Sequence, residues 1–139
     1  MPIVIAYAPE TALNPRLERA APEIRAVAGQ VRRQIPRAPD EIALALPALV
    51  EACRSVDVNG RCLAVSWELD RALRDEAGQD VLGLCDIDAH EPGWAYLAIN
   101  AVMTAHRPDL ALSTAAHELG HLLFDVPAAL ARADCATAR

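Results

Sequence analysis

Lysine is absent. All 13 basic residues are Arg, they face 19 acidic residues, and the formal net charge is −6. With no basic cluster, the chain lacks the electrostatic footprint of direct nucleic-acid binding. Aromatic residues are scarce, with one Phe, two Trp and two Tyr, so a core has to be built from Leu, Ala, Val and Ile. A membrane-spanning run is missing as well: residues 92–105 are uncharged but too short to cross a bilayer, and they contain Asn100. The apolar start, MPIVIAYAPE, has no positive region and no adequate apolar stretch behind it, so no targeting segment is expected. A cytoplasmic protein without a membrane partner follows as the expectation. The four cysteines, Cys53, Cys62, Cys85 and Cys135, include no C-x-x-C pair, which excludes a cysteine zinc knuckle and a thioredoxin motif. Nothing points to secretion, so free and mostly buried thiols are expected.

Present instead are 139 residues of which 53% are hydrophobic. That length and composition suit one domain over residues 1–139 with a substantial core, and exclude a disordered chain. Residues 1–14 read as irregular because of Pro2 and Pro9. Asn14-Pro15 is a helix start, an N-cap followed by Pro at the first helical position. Leu17, Ala20, Ala21, Ile24, Val27, Ala28 and Val31 then recur at helical spacing, predicting a helix over 15–35 that Pro36 ends. The Arg and Glu residues between them form its solvated face. Asp40 caps a second helix with Ile42, Leu44, Leu46, Leu49, Val50 and Cys53 as core candidates. Pro47 either kinks it or starts a new helix.

Residues 55–60 read as a turn centred on Asn59-Gly60, and 61–66 as a strand. The charged stretch 67–78 reads as a short helix or loop. Two apolar runs, 81–87 and 94–100, flank a turn with Pro92-Gly93 and predict a β-hairpin. The next helix is expected from Asp109 to Asp125. Pro127 breaks it, leaving a short Ala-rich helix over 127–139. The expected class is therefore α+β: N-terminal helices, a small antiparallel sheet, one central helix and a short C-terminal helix.

That central helix carries the chemistry. Within STAAHELGHLLFD, His117-Glu118-Leu119-Gly120-His121 is H-E-x-x-H. Residues four apart share a helix face, so both imidazoles can reach one ion. Zn²⁺ suits two neutral imidazoles and an open position for water. Glu118, beside the first His, is placed to take the proton of that water as it attacks a carbonyl. Leu112, Ala115, Ala116, Leu119, Leu122 and Leu123 surround the motif, and imidazoles in an apolar setting need partners. The competing reading is a surface helix with two solvated histidines. Gly120 would allow another backbone or a substrate to pass close. His90, in the hairpin turn, reads as solvated. His106 reads as a loop residue or as an oxyanion donor. Tyr96 and Asn100 read as substrate-orienting or as structural. A strand beside the metal helix can hold a peptide by β-addition, and 94–100 is the expected edge.

Three pieces of the chain resemble the ImmA/IrrE family of small bacterial and phage metallopeptidases: STAAHELGHLLFD, the pair VLGLCDID and WAYLAIN, and the Ala131–Ala136 segment ARADCA. The resemblance covers residues 40–139 and leaves 1–39 as an N-terminal extension and helix. It implies a gluzincin-like zinc site with His117 and His121 as ligands, Glu118 as catalytic base, and a carboxylate from a following helix. It also implies a protein or peptide substrate, with a helix-turn-helix repressor as the partner often found for such enzymes. The chain departs from the family at the third ligand. No Glu follows Glu118, and the usual position falls at Arg132. Asp134, with Cys135 as a softer substitute, and Asp125 are the candidates; otherwise the ligand is missing or external, through truncation at Arg139 or loss of activity. The expected function is a zinc-dependent metallo-endopeptidase. The alternatives are an inactive regulatory or interaction module on the same fold and a small-molecule metallohydrolase.

Overall fold

The computed structural model describes residues 2–7, 21–36, 44–87 and 93–137; the side chains of Ala21, Ala128 and residues 131–137 lie outside that description. In chain order it contains β1 (Ile3–Ile5), α1 (Ala21–Gln34), α2 (Leu46–Ala52), β2 (Ser55–Val58), β3 (Arg61–Glu68), β4 (Gly83–Ile87), β5 (Trp94–Ile99) and α3 (Pro108–Thr137). The class is α+β, as the sequence indicates. The sheet, however, is mixed. Its strand order is β1-β2-β3-β5-β4, with β1–β2 and β3–β5 parallel and the other two pairs antiparallel.

Several expectations are corrected. Residues 3–5 are a strand: Ile3 and Ile5 are buried while Val4 is exposed, the alternation of a half-buried edge. Residues 55–58 are a strand and not part of a turn, because Val56 and Val58 alternate with Ser55 and Asp57. The turn shrinks to Asn59 and Gly60, with φ of 53° and 87°, the two-residue loop whose twist suits a hairpin. Pro47 sits in the first turn of α2 and starts that helix, with Leu49 and Val50 buried behind it. The start signals at Asn14-Pro15 and Asp40, and His90 in the hairpin turn, lie outside the described residues.

The two ends of the sheet differ. At β1 the backbone edge is occupied by two glutamines one turn apart on α1. Gln34 accepts from Val4 N (2.8 Å) and donates to Val4 O (2.7 Å). Gln30 does the same with Ala6 N and O, at 2.9 Å each. The amides stand in for a neighbouring strand and close this edge. At the other end β4 pairs only with β5 among the described residues. The expected edge strand, 94–100, therefore lies inside the sheet, between β3 and β4. Its residues Ala95, Leu97, Ala98 and Ile99 are all buried, as in a strand covered on both sides.

The expected break at Pro127 does not occur, and there is no separate C-terminal helix. α3 runs unbroken through Pro127. A proline there has no N–H for the carbonyl of Leu123, four residues back. The Tyr7 hydroxyl supplies the missing bond, donating to Leu123 O at 2.6 Å, and its ring packs on Phe124 with centroids 5.2 Å apart. A double-mutant cycle checks this. Tyr7→Phe leaves the carbonyl unpaired and costs about 1–2 kcal/mol in denaturant unfolding. With Pro127→Ala, which restores the N–H, the same change costs under about 0.5 kcal/mol. Equal costs in both backgrounds would contradict the substitution of phenol for amide.

Between these ends α3 lies across the sheet. Ala115, Leu119, Leu122, Leu123 and Val126 enter one core cluster with Leu63, Val65, Leu97 and Ile99. Each buried Leu contributes roughly 2 kcal/mol by area removed from water, which fixes the helix and so its polar neighbours. No helix among the described residues is long and apolar enough to cross a membrane.

Candidate metal centre

The apolar stripe of α3 determines where the motif faces. With Leu119 and Leu122 in the core, Glu118 is turned toward β4 and is only 8% exposed. His117 and His121 stay at the helix surface. Their rings meet edge to face with centroids 4.8 Å apart, and the two Nε2 atoms are 3.2 Å apart. Two ligands of one tetrahedral zinc, each about 2.0–2.1 Å from it, are separated by about 3.3 Å. The observed spacing fits that.

The far side of His121 agrees. Its Nδ1 lies 2.5 Å from Asp125 Oδ2. A carboxylate accepts, so the ring donates from Nδ1, and in the neutral tautomer the Nε2 lone pair is left facing His117. Carboxylate–imidazole pairs of this kind orient metal-binding histidines. Asp125 is therefore engaged behind His121 and is not turned toward the side where the two Nε2 atoms meet. Asp134 is not brought to the pair. Thirteen residues separate it from His121 on one continuous helix, about 20 Å along the axis, far beyond the reach of an aspartate. Its side chain, like that of Cys135, is outside the described residues. Among the described residues, no group of three or more His, Cys, Asp and Glu is arranged to hold an ion. The residues present thus fit two of the three protein positions of a catalytic zinc site.

Between α3 and the open strand lies a groove of about 390 Å³, lined by Glu118, His121 and Asp125 on one side and by Gly83, Cys85 and Ile87 on the other. Glu118 has no hydrogen-bond or ionic partner among the described residues. Buried carboxyl groups without partners are uncommon because their desolvation is uncompensated. Cys85 faces the same groove. Burial first, then the nearby Glu118, Asp125 and Asp86 carboxylates, push its thiol up to about 12. It is a neutral thiol at physiological pH and no nucleophile. Cys53, Cys62 and Cys85 are all free, and burial raises Cys53 to about 11.

Other candidates fall away from the groove. His106 is exposed in the loop before α3, at φ 59°. The Tyr96 hydroxyl accepts from Arg71 Nη2 at 3.2 Å. Asn100 is 1% exposed and holds loops together. Gly120 faces open space: nothing among the described residues lies within 4 Å of where its Cβ would stand, so no backbone passes close there. The glycine that does permit close approach is Gly83, which the motif alone does not point to. A glycine inside a short strand is the signal that was available.

Compared with family models, curated proteins and solved structures, the chain matches none.

Proposed function

We propose that this chain is a zinc-dependent metallo-endopeptidase of the ImmA/IrrE kind, acting in the cytoplasm on an extended segment of a protein such as a helix-turn-helix repressor. The observation that carries the reading is a buried carboxyl without a partner, Glu118, next to two imidazole nitrogens held at the spacing of zinc ligands. His117 and His121 would hold the ion, with Asp125 fixing the His121 tautomer. Zinc supplies Lewis acidity toward the scissile carbonyl and lowers the pKa of water. Glu118 accepts a proton and passes it to the leaving amine. The apolar floor around Leu119 and Leu122 keeps that carboxyl out of bulk solvent. Substrate would add along β4, whose outer edge is unpaired among the described residues, where the backbone of a peptide strand finds pairing groups beside the groove.

The test is elemental analysis of the purified protein beside His117→Ala. About one zinc per chain is expected, with loss of at least 10-fold in affinity in the variant. No zinc, even after addition, overturns the proposal. A second reading, a regulatory module that keeps the metal without cutting peptides, is favoured by the two-ligand set among the described residues. Zinc binding combined with failure to cleave any protein substrate would select it.

A further inference from the structure

Gly83 is in an ordinary strand conformation, paired with Ile99 across β4–β5; its φ is not among the positive ones. Its lack of a side chain therefore serves space and not backbone shape. A Cβ at this position would stand 2.8 Å from Glu118 Cγ, Glu118 Oε1 and Thr114 Cγ2, closer than non-bonded atoms pack. Glu118 and Thr114, one turn earlier on α3, both press against the strand at Gly83. Thr114 is itself fixed, because its hydroxyl donates to Leu110 O at 2.7 Å and so its methyl is held toward the strand. The carboxyl cannot retreat into the core, where Ala115 and Leu119 are packed.

We infer that Gly83 is a positioning residue: its missing side chain leaves the slot in which the Glu118 carboxylate is held in the groove beside His121. This rests on the reading of Glu118 as the base of a metallopeptidase, and deepens it. Any side chain at 83 displaces the carboxylate while leaving the two imidazoles, which sit at the helix surface, where they are. Misplacement by about 1 Å is enough to cost on the order of 100-fold in rate.

The test is a double-mutant cycle between Gly83→Ala and Glu118→Ala, made in a Thr114→Ser background. Serine keeps the hydroxyl on Leu110 and removes the methyl, so Glu118 is the nearest remaining neighbour of the new Cβ. Alanine ends at Cβ and so removes both Glu118 atoms, Cγ and Oε1, that the new Cβ would meet. Urea unfolding should show Gly83→Ala lowering the folding constant about 10-fold or more with Glu at 118, and under about 3-fold with Ala. If Gly83→Ala folds only when Ala is at 118, the coupling is stronger still. Equal penalties in both backgrounds, or failure to fold in both, overturn the inference. Zinc affinity should stay within about 3-fold of the parent in every folded variant, because no ligand moves. In a hydrolysis assay Gly83→Ala lowers kcat with KM little changed. The cycle is read from stability alone. Absence of zinc or of hydrolysis in the parent protein would therefore fail the proposed function without touching the coupling between 83 and 118.

Discussion

Glu118→Gln should leave zinc stoichiometry unchanged and lower hydrolysis by about 10²–10⁴-fold, the usual contribution of a positioned general base. Glu118→Leu should do the same to activity and raise stability by about 1–3 kcal/mol. The second effect follows from burial. The residue is 8% exposed and its carboxyl has no partner among the described residues, so its desolvation is not repaid by hydrogen bonds. Leucine fills a similar volume beside Leu119 and Leu122 without that cost. A gain in stability on removing a catalytic group is the signature of a site held at the expense of the fold. Zinc analysis, a cleavage assay and urea unfolding on the same two variants check both halves. A destabilised Glu118→Leu would mean that the carboxyl is satisfied in the fold, and the reading of it as a base held ready would fail.

Asn100→Ala should cost about 2–4 kcal/mol in urea unfolding. Its amide donates to Val81 O at 2.9 Å and to Leu73 O at 3.3 Å. Its carbonyl accepts from Val102 N and Met103 N, each at 3.0 Å. One side chain thus ties the 69–82 loop to the end of β5 and turns the chain toward α3. Truncation leaves four backbone groups unpaired, one buried and three part-buried, each costing up to about 1–3 kcal/mol to the extent that water cannot reach it. Asn100→Asp separates this from a generic packing loss. The carboxylate keeps the two acceptances but faces two carbonyl oxygens it cannot donate to. It should therefore cost at least about 2 kcal/mol. A near-neutral Asn100→Asp would contradict the donor role. Asn100 is thus structural, and the substrate-orienting alternative has no support in where it sits.

Local pattern determined much of this protein. The α+β class, the strand at β3, the β4–β5 hairpin and the helix that presents His117, Glu118 and His121 on adjacent faces all follow from periodicity and turn residues over short stretches. Even the missed strand β2 was legible in the alternation of Ser55, Val56, Asp57 and Val58; the strong Asn59-Gly60 signal drew the turn too wide.

What sequence pattern did not yield depends on contacts between distant residues. Placing β5 inside the sheet requires its parallel pairing with β3, which skips over β4 in the chain. The continuous apolar run of 94–99 was the only local hint. Helix α3 survives Pro127 because the phenol of Tyr7, 116 positions before Leu123, supplies that carbonyl with the bond that proline lacks, and no propensity scale contains that partner. The same holds at the site. The H-E-x-x-H spacing determined which groups can share an ion. Only the packing of α3 on β4 decided that Glu118 is buried and that Gly83 makes room for it, and only the continuation of α3 through Pro127 carries Asp134 away along the helix. Spacing sets which side chains share a face, whereas burial and partnership are set by whichever surface that face is pressed against.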